Sequence, residues 1–211
     1  NHCYNFVCSY RDEKIYLVIE QILKCKPFKG MSPPVLIDVG ANIGLTTLVM
    51  CEFTPPDAQI ISFEPGLQSK YIEKNVCERG LESKVEVVKS AVHSSDATLQ
   101  LYTYDESIVD SRTYFDHSWS KRDQSKIKKK SVDAVNLDAF LSGRGISYQQ
   151  LQLIKTDCQG AEPHIFEGLF QDTKPPAQVT VLTEFWPYAI EQQGKNAEEY
   201  FQQLLRKFTG F

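Results

Sequence analysis

Short apolar stretches alternate with amphipathic stretches from residue 35 onward. Runs of aliphatic and β-branched residues bounded by polar or glycine-containing segments predict strands. The predicted strands are 35–39, 59–64, 85–90, 151–157 and 179–185. Apolar residues at helical spacing predict helices at 43–53 and 66–80. Strands that alternate with helices are typical of an α/β fold with a mostly parallel central sheet, flanking helices and right-handed crossovers.

The regions outside this alternation predict two additions to an α/β domain of residues 35–211. Residues 1–34 contain apolar side chains at helical spacing and predict a helical extension, which either packs on the sheet or covers a pocket. Residues 97–103 and 131–136 alternate apolar and polar side chains, so we expect a small antiparallel insertion between the third and fourth parallel strands. The long aperiodic stretch inside it predicts a substrate-covering lid within residues 97–136.

A glycine-containing turn follows the first predicted strand. The strand ends at Asp38 and Val39, and the chain continues through Gly40, Asn42 and Gly44 into a helix. A dinucleotide-binding turn needs a middle glycine, which is absent here, and the carboxylate of Asp38 would repel a pyrophosphate. S-adenosylmethionine (SAM) presents an ammonium, a carboxylate and a sulfonium instead, and is the favoured ligand. The alternative is a turn without a ligand, in which the glycines serve packing alone.

Residues near the ends of the second and third strands complete the predicted cofactor pocket. Glu64, which Pro65 follows, would accept hydrogen bonds from the two ribose hydroxyls of SAM. Ala91 and Val92 would pack against the adenine, although a place in the hydrophobic core explains both residues equally well.

Four charged residues are the candidates for catalysis: Asp157, Glu162, Glu184 and Lys155. An aliphatic hydroxyl is a poor nucleophile near neutral pH, so methyl transfer to it needs a positioned base. We expect Asp157 to lie nearest the methyl group or to hold the SAM ammonium, with Glu162 or Glu184 beside the acceptor. In the alternative interpretation, Asp157 is a structural cap and Glu162 is a favourable charge at the start of a helix.

Three further side chains are open to two interpretations. Lys155 either stabilises a developing alkoxide or forms an ordinary ion pair at a strand end. His93 and His164 would suit a base near neutral pH, but a single histidine is more often a packing or surface residue.

The net charge, the apolar runs and the cysteine spacing limit which partners and which cellular location we expect. The net charge of −4 argues against wrapping a nucleic acid, which needs a basic surface. The basic run 121–130 is the contrary feature, and we interpret it as a solvated loop or strand edge rather than an anion-binding patch. No apolar run approaches the roughly 20 residues of a membrane span, no signal peptide is evident, and six cysteines without Cys-x-x-Cys spacing indicate reduced thiols. We therefore expect a cytoplasmic protein of undetermined oligomeric state.

Five segments together resemble the FkbM family of SAM-dependent methyltransferases. They are residues 38–44, 63–65, 90–92, 135–140 and 154–162. The resemblance implies a Rossmann-like class I methyltransferase fold and O-methylation of a hydroxyl, commonly on a sugar or a macrolide-type product. The chain departs from the family pattern at Gln159, where Glu is usual, and at Asn136, where Thr is usual. Gln159 can accept a hydrogen bond but cannot take a proton.

The leading hypothesis is a SAM-dependent O-methyltransferase acting on a carbohydrate or another polyhydroxylated small molecule. RNA ribose or cap methylation is a second hypothesis, and a SAM-binding module without catalysis is a third. The carboxylates Asp133, Asp138, Asp157 and Glu184 lack the spacing of a metal-binding loop, so no metal is expected.

Overall fold

The computed structural model describes residues 6–8, 12–25, 28, 33–104, 111–121, 123–171 and 174–208. Its strands are β1 (Phe6–Cys8), β2 (Val35–Val39), β3 (Gln59–Phe63), β4 (Val85–Val88), β5 (Ala91–His93), β6 (Ala97–Tyr104), β7 (Ser111–Arg112), β8 (Ile127–Asn136), β9 (Leu151–Thr156) and β10 (Thr180–Thr183). Its α-helices are α1 (Asp12–Cys25), α2 (Leu45–Glu52), α3 (Ser69–Glu78), α4 (Leu137–Gly143), α5 (Glu162–Glu167), α6 (Pro187–Gln192) and α7 (Ala197–Phe208).

The main sheet is parallel, with the strand order β1-β10-β9-β2-β3-β4. All five predicted strands are confirmed, with ends that differ by at most two residues. The chain runs outward from β2 to β3 and β4, then returns to β9 on the other side of β2 and continues to β10. The carboxyl ends of β2 and β9 therefore flank a switch point, the place where open α/β sheets bind ligands.

The first strand is a difference from the sequence-based expectation. Residues 1–34 were predicted to be helical, and α1 confirms that for Asp12–Cys25, but Phe6–Cys8 pairs with β10 at the edge of the main sheet. A strand of three residues is too short to show a period of two, so its pattern gave no signal.

Apolar layers cover both faces of the main sheet. Successive side chains of a strand point to opposite faces. In β2, Val35, Ile37 and Val39 join the core beneath α4, α5 and α7, whereas Leu36 joins the core beneath α1, α2 and α3. Asp38 lies on the same face as Leu36, which directs its side chain toward the start of α2.

A second sheet, with the order β5-β8-β6-β7, is inserted between β4 and β9. The predicted antiparallel pair is confirmed, because β6 and β8 pair from Ala97–Ala134 to Tyr104–Ile127. Strand β8 begins four residues earlier than its alternating pattern predicted, because the lysines at 128–130 are exposed although they belong to the strand. Ala91 and Val92 form β5, which pairs parallel with the end of β8.

The described part of the predicted lid is packed. The described side chains of residues 111–121 include buried ones, those of Arg112, Tyr114, Asp116 and Trp119. Arg112 forms an ion pair with Asp116 and lies over the rings of Trp119 and Trp186. Tyr188 donates a 3.0 Å hydrogen bond to Asp116, which joins this segment to α6. Residues 105–110 of the lid and Arg122 of the basic run lie outside the described residues.

Within the described ranges, none of the helices combines the length and apolar character of a membrane span. The same ranges hold no group of three or more histidine, cysteine, aspartate or glutamate side chains arranged for a metal ion.

Candidate active site

A cavity of about 520 Å³ lies at the switch point. Its floor is made by the segments that leave β2, β3, β9 and β10, as expected for the carboxyl ends of parallel strands. Its outer walls come from other regions. One wall contains Ile15 and Tyr16 of α1. Another wall contains Leu101 and Ser111 of the second sheet and Thr113, which follows β7.

Asp38 and Lys155 form a buried ion pair at the cavity floor, with 3.0 Å between Nζ and Oδ1, and Lys155 lines the cavity. The hydroxyls of Thr46 and Thr47 donate to Asp38 Oδ2 at 2.6 and 2.7 Å. Asp38 is fully buried and does not line the cavity. The structure therefore does not place its carboxylate where it could contact a cofactor directly, as the sequence predicted. Its carboxylate instead fixes the start of α2 to the sheet.

The ammonium of Lys155 is occupied. Besides Asp38, it donates to the carbonyl oxygens of Gly40 at 2.9 Å and Val39 at 3.4 Å. Burial lowers the pKa of Lys155, but the charges of Asp38 and Asp157 outweigh it and raise the pKa overall. The ion pair with Asp38 and the two carbonyl oxygens hold this ammonium at the strand end, so the ion-pair interpretation fits Lys155 better than a role at an alkoxide.

The turn after β2 requires glycine at two places. Gly40 has a φ of +72°, and a Cβ there would lie 2.0 Å from the carbonyl oxygen of Asp157. Gly44 has a φ of +89°, and a Cβ there would lie 3.1 Å from Ile72 of α3. Gly40 therefore brings the turn against the end of β9 and lines the cavity, whereas Gly44 serves helix packing and does not line it.

Asn42 and Glu64 meet across the cavity floor. The backbone N–H groups of Asn42 and Gly66 donate to Oε2 and Oε1 of Glu64 at 2.9 and 2.8 Å. Burial raises the pKa of Glu64, and these two hydrogen bonds oppose the shift. Asn42 has a φ of +53°, and its buried Oδ1 has no hydrogen-bond partner among the described residues. Pro65, Ala91 and Val92 line the cavity nearby.

Asp157 and Glu184 follow neighbouring strands and line the same part of the cavity. The amide Nε2 of Gln159 lies between them, 3.1 Å from Asp157 Oδ1 and 3.5 Å from Glu184 Oε2. Burial is the largest cause that raises the pKa of Glu184, to about 9, and the charge of Asp157 is the second. Glu184 therefore keeps its proton at neutral pH.

Glu162 lies below the cavity and does not line it. Its carboxylate accepts hydrogen bonds from the backbone N–H groups of Cys158 at 2.5 Å and Gly160 at 2.9 Å. Burial raises its pKa to about 7 although these bonds oppose the shift. Glu162 thus holds the turn that carries Asp157 and Gln159, and the structure does not bring it to the acceptor side, where the sequence suggested it.

The two histidines also lie outside the cavity. The rings of His93 and His164 stack with 4.6 Å between centroids, and burial lowers the pKa of both. Neither lines the cavity, so their packing interpretation fits the structure.

Several wall residues were missed by sequence reasoning. Tyr16, Gln68, Ser111 and Thr113 line the cavity but lie in regions without a recognisable motif. Gln68 donates to Ser111 at 3.3 Å, which joins the start of α3 to the second sheet. Asn136, which departs from the family pattern, has a structural role. It caps α4 by accepting from Ala139 at 2.8 Å, and its amide donates to the carbonyl oxygen of Ser94 at 2.7 Å, a pair of contacts that needs both an acceptor and a donor.

The sheet order and the cavity at its switch point are those of a Rossmann-like methyltransferase fold. A provisionally named caffeoyl-CoA O-methyltransferase from Staphylococcus aureus superimposes with a TM-score of 0.52 at 11% identity, covering 95% of this chain and 77% of that one. A provisionally named O-methyltransferase from Klebsiella pneumoniae gives 0.52 at 10% identity, covering 94% and 70%. Two other solved methyltransferases are matched over only 42% and 44% of their own lengths.

Sequence similarity is more specific than the fold. The Methyltransferase FkbM domain matches residues 38–209. Methyltransferase sdnD of Sordaria araneosa is 25% identical, covering 77% of this chain and 70% of that protein. The chain therefore belongs to the FkbM family of methyltransferases. The predicted fold class and family resemblance are confirmed, and membership implies that the chain is a SAM-dependent methyltransferase.

Proposed function

We propose that the protein is an O-methyltransferase that uses SAM to methylate an uncharged hydroxyl of a carbohydrate or another polyhydroxylated small molecule. The observation that carries this proposal is the pair Asp157 and Glu184, which line one cavity with the Gln159 amide between them. Glu184 keeps its proton at neutral pH, so the pair offers a proton acceptor and a donor. The cation among the described lining residues, Lys155, is paired with Asp38.

The donor set of the cavity fits SAM. Gly40 lines the cavity and lets the turn after β2 pack against the end of β9, where a Cβ would meet the carbonyl oxygen of Asp157. Asn42 Oδ1 is a buried acceptor without a partner among the described residues, suited to an ammonium or hydroxyl donor. Glu64 uses two of roughly four carboxylate acceptor positions, which leaves room for ribose hydroxyls. Ala91 and Val92 offer an apolar wall for adenine.

Bound SAM would supply an electrophilic methyl group, which passes from sulfur to the acceptor oxygen. The protein must then orient the hydroxyl and remove its proton as attack proceeds. In our proposal Asp157 takes that proton on a carboxylate oxygen, and protonated Glu184 donates a hydrogen bond that orients the acceptor. Glu162 and Lys155 are positioning residues, since each holds one of the turns that meet at the cavity floor.

The charge of the cavity supports an uncharged acceptor. Asp157 and Glu64 contribute carboxylates to the lining, so an acceptor with a phosphate or carboxylate near its reacting hydroxyl would be repelled. This disfavours RNA ribose, which carries phosphates beside each sugar. The exposed lysines 128–130 are the feature of the described structure that favours RNA.

The deciding experiment is methyl transfer from isotopically labelled SAM to a panel of neutral sugars, polyols, phosphorylated sugars and short RNAs, followed by mass spectrometry. We expect a labelled methyl group on at least one neutral hydroxyl compound. Labelling confined to RNA, with a rate that falls steeply with salt, would favour the second hypothesis. SAM binding without transfer to any compound would favour a binding module.

A further inference from the structure

The side-chain amide of Gln159 lies between the carboxyl groups of Asp157 and Glu184. Its Nε2 lies 3.1 Å from Asp157 Oδ1 and 3.5 Å from Glu184 Oε2, and all three side chains line the cavity. A primary amide nitrogen carries two hydrogens and can donate one to each acid. Hydrogen bonds of this kind are often long in a ligand-free site and shorten when the reactants bind.

The backbone of Gln159 also contacts the pair, because its N–H donates a hydrogen bond to Glu184. The φ of Gln159, +56°, lies in the left-handed region, which is uncommon for residues other than glycine. The turn does not depend on the Gln159 side chain, because Glu162 binds the backbone N–H groups of Cys158 and Gly160 on either side. Strained residues of this kind cluster at functional sites.

The surroundings of the pair are rich in acids. The titratable and charged groups near it are Glu162 below the turn, Lys155 on β9, Asp38 behind Lys155, Glu64 and Cys158 on the cavity floor, and Tyr16 on α1. A carboxylate in place of the Gln159 amide would add an acid between two others and remove the donor that they share.

We propose that Gln159 is a positioning residue whose neutral amide donates to both Asp157 and Glu184 and holds the two carboxyl groups in a fixed arrangement while methyl transfer takes place. The inference rests on the proposed function of the site. It assigns a role to the position at which this chain differs from the family pattern. The amide replaces a titratable group with a fixed donor and limits the number of protons that the site exchanges.

The test compares Gln159→Glu with Gln202→Glu. Gln202 is exposed on α7 and donates to the carboxylate of Glu198 at 3.0 Å, so the control makes the same chemical change beside a carboxylate in solvent. Carboxyl ¹³C NMR titration of the ligand-free protein follows Asp157 and Glu184 directly. We expect Gln159→Glu to move at least one of these titrations upward by about one pH unit or more, and the control to move neither.

The second readout is the pH profile of kcat with the acceptor found for the protein. In Gln159→Glu we expect the acidic limb to move upward by a similar amount, because the base must lose a proton from a more acid-rich site. Gln159→Ala should lower kcat by about tenfold or more with little change in affinity for S-adenosylhomocysteine. Wild-type titrations in Gln159→Glu, or a wild-type kcat in Gln159→Ala, would overturn the proposal.

The two proposals fail separately. The NMR titration needs no turnover, so a shifted titration in a protein that methylates nothing would support the link between the acids and refute the proposed function. Normal turnover with unshifted titrations would refute the link and leave the function intact.

Discussion

Lys155 Nζ lies 3.0 Å from Asp38 Oδ1, and the two side chains are buried almost completely beneath the turn that forms the cavity. The same ammonium binds the carbonyl oxygen of Gly40, so the ion pair connects β2, β9 and the turn between β2 and α2. Its contribution is geometric, because it fixes the distance between the strand ends that carry Gly40 and Asp157.

Lys155→Met should be strongly destabilising. It leaves the carboxylate of Asp38 buried with only the hydroxyls of Thr46 and Thr47, and loss of one partner of a buried pair costs about 3–5 kcal/mol. Urea unfolding measures the change. Lys89→Met, which breaks an exposed pair with Glu73, is the matched control and should change stability by less than about 1 kcal/mol. Equal effects of the two variants would contradict a structural role for the buried pair.

Glu64→Gln should weaken binding of S-adenosylhomocysteine by about 1–3 kcal/mol. The NH₂ group of a glutamine at this position would face the backbone N–H of Asn42 or Gly66, so that two donors would meet. The glutamine also lacks the negative charge that strengthens hydrogen bonds from ribose hydroxyls. Isothermal titration calorimetry measures the affinity. Glu73→Gln changes an exposed glutamate on α3 and serves as the control. Wild-type affinity in Glu64→Gln would remove Glu64 from the cofactor site.

Asp157→Asn should keep the fold and lower kcat by about 100-fold or more, because the amide cannot take the proton of the acceptor. Asp133→Asn, on the exposed side of β8, is the control and should keep its activity. Steady-state kinetics and calorimetry separate the two roles considered for Asp157. A loss confined to SAM affinity would identify it as a cofactor ligand, and a variant normal in both respects would place the chemistry elsewhere.

Glu184→Gln should change how stability depends on pH. The unfolded chain loses the Glu184 proton near its ordinary pKa of 4.5, whereas the folded protein keeps it up to a pKa of about 9. Between these values the unfolded state binds fewer protons, so the free energy of unfolding contributed by this group falls as pH rises. The difference in Tm between Glu184→Gln and wild type should therefore be more in favour of the variant at pH 8 than at pH 5. Parallel Tm curves for the two proteins would show that Glu184 titrates normally.

The segment 111–121 should become more protected from hydrogen exchange when acceptor and S-adenosylhomocysteine are bound together. It carries Ser111 and Thr113 on the cavity wall, and a closing wall excludes water from the reacting groups. Exchange measured by mass spectrometry, with α7 as an internal reference, tests this. Protection already complete in the free protein would make the segment a fixed wall.

The sequence predicted the main sheet well because β2, β3, β9 and β10 are buried on both faces and their apolar runs are continuous. It also placed Asp157 and Glu184 together, since both follow neighbouring parallel strands. The role of Glu162 could not be predicted, because a glutamate that opens a helix looks the same whether its carboxylate faces a cavity or turns back to bind Cys158 and Gly160. The walls from α1 and the second sheet depend on long-range packing, which no local pattern encodes.

The position of β1 has a consequence for attempts to shorten the chain. The family region begins at residue 38, yet β1 covers the outer edge of β10, and α1, which follows it, places Ile15 and Tyr16 on the cavity wall. A fragment that begins at β2 would turn β10, whose four residues are all buried, into an edge strand with an exposed backbone, a ready template for pairing with other chains. Aggregation of such a fragment would therefore reflect a lost neighbour strand, and its inactivity would say nothing about the catalytic groups.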